Sequence, residues 1–448
     1  MLRVDSKKIE PGDTFIAIKS ELRDGHDYIE DAIDRGAACI IAEKGEYLVK
    51  TIIVKDTKVY LANYLKDLYE NKLNKLKLIG ITGTNGKTTS CYFIYQLLNR
   101  LGIKTAYIGT IGFYVDDECV HLNNTTPDLY ELYDLLVRAA DSGCEYVALE
   151  VSSQALVGRR LEGLEFDVAG FTNLTIDHLD YHKTMEVYEK AKLELFKMVR
   201  GFTIINMDNK FSNDFVLKEN ENILFGYNNY DYKISDVRIS TEKSTFKITN
   251  GNEMREIVLP VLGVYNIYNY MYAYIICDKL NLDMNKVVSE SASLTPPPGR
   301  YQIIKNDKNT VIVDYAHTPD ALLNIIKSAR CYTKGRVITL IGCGGDRDKS
   351  KRLLMGKFAT ENSDFVFFTS DNPRTEDPNE ILNEMTNGLS KNNFEIIEDR
   401  KEAIKEAINY LNSTDILLVL GKGHEEYQII GKEKFHFSDA EEVNKYIK

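Results

Sequence analysis

One stretch leaves this chain little freedom: Lys77-Leu-Ile-Gly-Ile-Thr-Gly-Thr-Asn-Gly-Lys-Thr-Thr89. Leu78 to Ile81 predict a buried strand, a glycine-rich turn follows, and Tyr92 to Leu98 are apolar at helical spacing. Strand, glycine loop, Lys-Thr and helix in this order make a phosphate cradle. Backbone N–H groups and a helix N-terminus face the anion, Lys87 neutralises it, and the Thr88 hydroxyl can bind Mg²⁺. The strict P-loop pattern has glycine where Ile81 stands. The strand before and the helix after still separate this loop from an ordinary turn, and the expected ligand is a nucleoside triphosphate.

Composition narrows the class. A chain of 448 residues has room for two to four domains with real cores. No apolar run approaches a membrane span, and the first residues lack a signal-peptide core. The seven cysteines are scattered, odd in number and without a CxxC pair. That pattern predicts reduced thiols in a cytoplasm and argues against zinc. Cys343 reads as structural. A net charge of −11 gives no basic footprint for nucleic acid, so small anionic ligands must be held by local positive groups.

Three segments emerge, 1–75, 76–298 and 299–448. The first holds short strands and a helix from Ile29 to Gly36, then a charged helical linker from Leu61 to Lys75. The second ends at Pro296-Pro-Pro-Gly-Arg300, a stiff hinge that cannot continue a helix. The third alternates strands (311–313, 337–341, 365–369, 416–420) with amphipathic helices, which predicts a doubly wound parallel sheet. Each strand runs into a polar cluster, at Asp314, at Gly342 to Asp348, at Asp371 to Arg374 and at Gly421 to Glu425. Ligands of open parallel sheets bind at that edge.

In the second segment the apolar strand Tyr146 to Val151 carries Glu150 near its end, where a carboxylate beside a P-loop can hold Mg²⁺. His178 and His182 have i, i+4 spacing without the glutamate of a zinc protease. Lys192, read by itself, is a helix-face lysine of the usual solvated kind.

The ordered motifs resemble those of the Mur ligases, most closely the MurE type. They are Asp5-Ser6, Pro11-Gly-Asp13, Asp24-Gly25, Gly83 to Thr88, Thr125-Thr-Pro-Asp128, Glu150-Val-Ser-Ser153, Asp177-His-Leu-Asp-Tyr-His182, Tyr188 to Lys192, Asn266 with Asn269, and the four C-terminal clusters. The resemblance implies an α/β protein of three domains: a small UDP-binding domain, a central P-loop ATPase domain with a parallel sheet, and a Rossmann-like doubly wound domain. It implies an ATP-dependent ligase that joins an amino acid to a UDP-linked muramoyl dipeptide and forms ADP and phosphate.

Carried over by position, Gly83, Thr84, Asn85, Gly86, Lys87, Thr88, Thr89, Asn266, Asn269, Arg300 and Asp314 would bind ATP. Thr88, Glu150, His178 and Lys192, the last carbamylated, would hold two Mg²⁺ ions. Lys87, Lys192, His178 and Glu150 form the implied catalytic set. Ser6 would contact uridine, and Thr125, Thr126, Ser152 and Arg160 the muramoyl dipeptide. Arg347, Asp371, Asn372, Arg374, Gly421 and Glu425 would receive the amino acid. Asp371-Asn-Pro-Arg374 has the form implied for meso-diaminopimelate, because a guanidinium grips a distal carboxylate that L-lysine lacks. Glu425 would meet the distal ammonium. The family implies a cytoplasmic monomer acting on small molecules, without nucleic acid or membrane partners.

The chain also departs from the family. It begins close to Asp5-Ser6, has Gln154 where many relatives have histidine, and has Lys19-Ser20-Glu21 in a usually glycine-containing stretch. The alternatives are a ligase for L-lysine or a similar amino acid, a ligase for another UDP-linked peptide such as a pseudomurein precursor, and a nucleotide sensor without turnover. Folylpolyglutamate synthetase shares the ATP core but lacks the Asp5-Ser6 and Asp371-to-Arg374 motifs.

Overall fold

A computed structural model describes residues 1–19, 23–240, 242–306 and 309–447. Ser20 and Glu21, singled out above, lie outside the described residues. The fold is mixed α/β with three domains, and the backbone packs as two compact units. One comprises 1–82, 103–169 and 191–202, the other 83–102, 170–190 and 203–448.

The first unit opens with a parallel sheet of Leu2–Arg3, Thr14–Ile16, Cys39–Ala42 and Lys50–Ile53. Its core is Phe15, Ala17, Ile29, Ala32 and Ile40. The P-loop strand Lys77–Thr82 and the strand Thr105–Gly109 flank Tyr146–Glu150, all parallel. Parallel strands are covered on both faces, which explains their unbroken apolar runs. The expected linker is instead part of the unit's packing. Its helix runs Thr57–Leu73, buries Leu61, Ala62 and Leu65, and is capped by Asp56, which accepts from the Lys58 and Val59 N–H groups. Arg159 grips the same carboxylate at 2.6 Å. The charged face visible in the sequence hid this narrow apolar stripe.

In the second unit the P-loop helix Lys87–Arg100 lies beside Val264–Lys279. Strands Tyr232–Ile239, Ser244–Asn250 and Glu253–Leu259 form an antiparallel meander. The C-terminal sheet has the order 302–305, 310–314, 416–420, 337–341, 365–368, 394–396. All its pairings are parallel except that of Gln302–Lys305, an edge strand absent from the sequence reading because four residues carry too little period-2 signal.

Alternation along these strands builds two cores. Ile312, Val337, Ile341, Val366 and Leu418 face helices Pro319–Tyr332, Arg352–Asn362 and Pro378–Thr386. Val311, Val313, Ile338, Leu340, Leu417 and Val419 face Arg400–Asn409 and Asp439–Tyr446. Chain order across the sheet reverses at the strand 416–420, and the four polar clusters gather at the carboxyl edge there, where open sheets bind ligands. No helix among the described residues is long and apolar enough to cross a membrane.

Candidate active site

The P-loop of the second unit is held by backbone and by the segment 172–175. Thr84 N–H donates to the Asn173 carbonyl at 2.8 Å and Asn85 N–H to Asn173 Oδ1 at 3.0 Å. Thr172 Oγ1 donates to the Asn85 carbonyl at 2.6 Å, and Thr175 N–H to Thr84 Oγ1 at 3.0 Å. Gly83 and Gly86 have positive φ, 148° and 90°. A Cβ on Gly83 would overlap the Thr172 hydroxyl, and one on Gly86 the Asn269 amide. Both positions therefore need glycine. Lys87 Nζ rests on the Gly83 and Thr84 carbonyls at 2.9 and 2.8 Å. Thr88 and Thr89 are buried at the helix start, whose N–H groups give the cradle its anion-binding character.

Asn266 and Asn269 sit one turn apart and bond each other at 3.2 Å, and Asn266 also donates to the Leu262 carbonyl. Arg300 joins this cluster. Its Nη2 donates to Thr88 Oγ1 at 3.3 Å, its plane lies 4.3 Å from the Tyr315 ring centroid, and its Nε is buried without a hydrogen-bond partner among the described residues. Asp314 faces inward and accepts from Tyr301 N–H and Ala316 N–H, both at 2.7 Å. Burial pushes its carboxyl up to about 6, opposed by Arg300. The sequence offered Asp314 as a ligand contact; in the structure each of its oxygens also accepts a backbone N–H, that of Tyr301 beside Arg300 and that of Ala316.

His178 takes a left-handed backbone (φ 54°) at the start of the short helix Leu179–His182. His182, at i+4, is buried and stacks on Tyr188 at 4.9 Å. Asp177, part of the quoted motif but given no role in the sequence reading, is the centre of charge here. Its carboxylate lies 3.4 Å from His178 Nε2, 3.9 Å from His317 Nε2 and 3.8 Å from Lys351 Nζ. Burial alone would raise its pKa, but these neighbours hold it down to about 2. Burial and Lys351 push His317 down to about 4, so it is neutral near neutrality. Its Nδ1–H then donates to the Tyr315 carbonyl at 2.8 Å, leaving the lone pair on Nε2.

In the first unit, Glu150 is fully buried. It accepts from Tyr107 OH, from Thr110 N–H at 2.9 Å and from Thr110 Oγ1 at 3.1 Å. Thr110 Oγ1 lies 3.0 Å from Thr125 Oγ1, Thr126 donates to the Glu150 carbonyl, and Ser152 N–H donates to Thr126 Oγ1. Arg160 bonds the Thr126 carbonyl at 2.9 Å and Asp128 at 3.0 Å. Thus Glu150, Thr125, Thr126, Ser152 and Arg160 form one connected cluster. Lys192 departs from the solvated expectation: it is 1% exposed. Ser6 is likewise buried, and its hydroxyl bonds Asp31, helping to hold that carboxyl below its ordinary value.

The C-terminal cluster lies within the second unit. Arg374 has φ 52°; its N–H donates to the Ile429 carbonyl, and its carbonyl accepts from Gly431 N–H. The partner is a hairpin, Tyr427–Ile430 with Glu433–His436, that the sequence reading missed. Its guanidinium reaches the Gly345 carbonyl at 2.7 Å. Arg347 Nη1 turns to the carbonyl of Asp346. Buried Arg352 ties the two arginine-bearing loops together, bonding Glu376 at 2.9 Å and the Gly344 carbonyl at 3.2 Å. Glu376 also accepts from Asp346 N–H. Gly421 has φ 111°, and a Cβ there would press on the Asp371 carboxylate. Asn372 Nδ2 donates to Glu425 Oε2 at 2.8 Å. Cys343 is buried beneath this edge, where burial pushes its thiol up to about 12.

Fold and motifs define a three-domain α/β protein built on a P-loop. Family models match along the chain: "Mur ligase family, catalytic domain" at 1–79, "Mur ligase middle domain" at 81–277 and "Mur ligase, glutamate ligase domain" at 299–423. The chain belongs to the Mur ligase family. It is 41% identical over 455 residues to the UDP-N-acetylmuramoyl-L-alanyl-D-glutamate–2,6-diaminopimelate ligase of Clostridium perfringens, covering 99% of this chain and 93% of that protein. The protein of the same name from Bacillus cereus is 38% identical over 452 residues, with 98% and 92% covered. A solved structure of a ligase of this name is 32% identical with a TM-score of 0.72, covering 100% of this chain and 94% of that one.

Proposed function

We propose that this protein is an ATP-dependent ligase that adds meso-diaminopimelate to the D-glutamate carboxylate of UDP-MurNAc-L-Ala-D-Glu, in peptidoglycan precursor synthesis. The observation that carries the reading is near-full-length identity of about two in five residues to ligases of that name. We assign the UDP end to residues 1–75, the ATPase to 76–298 and the amino-acid site to 299–448, and a monomer working in the cytoplasm.

The D-glutamate carboxylate is a poor acylating agent. Its attack on the γ-phosphate of ATP breaks the bond to ADP and gives an acyl phosphate. The amine of diaminopimelate then attacks that carbonyl, and phosphate leaves. The chain's own groups serve the first step by position and charge. Lys87, now resting on loop carbonyls, can transfer its bonds to phosphate oxygens, and the loop N–H groups cradle them. Arg300, whose buried Nε has no hydrogen-bond partner among the described residues, is suited to the same anion.

We assign Thr88, Glu150, His178 and carbamylated Lys192 to two Mg²⁺ ions, which neutralise charge on the phosphates when bound. The burial of Lys192 supports this, since a buried ammonium is costly and a carbamate converts it to an anionic ligand. Arg374 supports diaminopimelate, because L-lysine would leave its guanidinium without a carboxylate.

The test is phosphate release with ATP, Mg²⁺ and UDP-MurNAc-L-Ala-D-Glu, with meso-diaminopimelate, L-lysine, L-ornithine or no amino acid added, and mass spectrometry of the product. Turnover confined to diaminopimelate is expected. Turnover with L-lysine instead would keep the ligase and overturn the specificity. Silence with every amine would overturn the acceptor.

A further inference from the structure

Lys422 is fully buried at the carboxyl end of the strand Ile416–Leu420, inside the C-terminal cluster. Its Nζ lies 3.1 Å from Asn372 Oδ1, 3.2 Å from Glu425 Oε2 and 3.8 Å from Asp371 Oδ1. The ring of Tyr427 closes one side, 5.7 Å away. A buried lysine is retained only when its charge is answered, and here two carboxylates answer it.

The geometry fixes more than charge. Asn372 Oδ1 receives two donors, Lys422 Nζ and Ile429 N–H at 2.9 Å. An atom facing two donors must be the oxygen, so the amide has one orientation and its NH₂ faces Glu425. Asn372 Nδ2 and Lys422 Nζ both bond Oε2 of Glu425. Among the described residues Oε1 has no hydrogen-bond partner, so it is the oxygen left for a ligand cation.

We propose that Lys422 is a positioning residue for the amino-acid substrate: it locks the Asn372 amide and aims Glu425 Oε1 at the distal ammonium of the diamino acid. This rests on the assignment of the pocket under Proposed function. The charge of Lys422 also matters. Burial first, and Asp371 next, push the Glu425 carboxyl up, while Lys422 and Asn372 pull it down. Tyr315, Tyr427 and Arg400 also sense Glu425. Without Lys422, Glu425 holds its proton to higher pH and loses its attraction for an ammonium.

The experiment compares steady-state kinetics of the whole enzyme for Lys422→Met, Lys422→Gln, Lys422→Arg and Arg374→Ala, between about pH 6 and 9. For Lys422→Met and Lys422→Gln, the KM for diaminopimelate should rise about 10-fold or more while that for ATP stays within about 2-fold. The defect should lessen as pH rises and Glu425 ionises. Lys422→Arg, which keeps the charge, should retain the wild-type pH profile.

An unchanged KM for diaminopimelate in Lys422→Met, beside a raised one in Arg374→Ala, would overturn the role of Lys422 and keep the pocket. An unchanged KM in Arg374→Ala would overturn the pocket and this proposal with it. A parallel, pH-independent loss for both substrates, or failure of every Lys422 variant to fold, would make Lys422 a structural residue and also overturn it.

Discussion

Single residues carry the sharpest consequences. Replacing Lys192 by alanine should abolish turnover while leaving ATP binding, because the proposed carbamate would help hold a Mg²⁺ ion needed for the transfer, whereas the P-loop and Lys87 would hold the nucleotide. Single-turnover product formation and calorimetric titration with a non-hydrolysable ATP analogue separate the two, and full activity would remove the carbamate assignment. Arg374→Ala should raise the KM for diaminopimelate by about 30-fold or more, the scale of losing one partner of a buried charged pair, with the KM for ATP nearly unchanged. Equal KM values would mean that the arginine serves only its loop. Gly83 and Gly86 were legible in the sequence as a cradle, but Thr172 and Asn173, which fasten that loop, were not. They come from a segment some ninety residues away, as the Asn85–Asn173 bond shows, and nothing in their local pattern marks the partnership.

At the scale of elements, two ion pairs brace the C-terminal sheet. Arg400 and Asp439 join the two helices of one face, with both side chains fully buried and paired through two bonds of 2.7 Å. Arg400 also donates to the Leu420 carbonyl. Asp439→Ala should cost about 3–5 kcal/mol, since it strands a buried guanidinium. Urea denaturation checks this, and a cost under about 1 kcal/mol would mean the cavity admits water.

The second pair, Arg352–Glu376, is less enclosed. Bonds from Arg352 hold the Glu376 carboxyl at about 2, well below its ordinary range. A depressed carboxylate contributes stability above its unfolded pKa and loses it as pH falls through the folded one. The thermal-stability gap between wild type and Glu376→Gln should therefore be full above about pH 4.5 and close toward about pH 2. A gap independent of pH would assign it to packing. The strands and helices of this sheet were legible because long apolar runs alternate with amphipathic segments. The edge strand Gln302–Lys305 and the hairpin at Tyr427 were not, because short pairings carry no period of their own.

For the whole molecule, the groups proposed for ATP in the second unit come from residues far apart in sequence: the P-loop, Asn266 and Asn269, and Arg300. A ligand that bridges them stabilises the folded chain by mass action, about 2.7 kcal/mol at a hundred times its Kd. A non-hydrolysable ATP analogue with Mg²⁺ should therefore raise Tm in wild type and fail to do so in Lys87→Ala. A shift retained in that variant would place the nucleotide elsewhere.

By itself the sequence determined what local pattern can encode: the P-loop with its strand and helix, the alternating C-terminal sheet, and the order of motifs that marks the family. Periodicity, glycine and charge spacing act within a few residues, so they are readable in one dimension. Tertiary structure alone decided the rest. It buried Lys192 and Lys422, bonded Asp314 to neighbouring backbone, packed the supposed linker helix, and gathered His178, His317 and Lys351 around Asp177. Burial and electrostatic partnership depend on which distant segments meet, and that is settled by the packing of the whole chain.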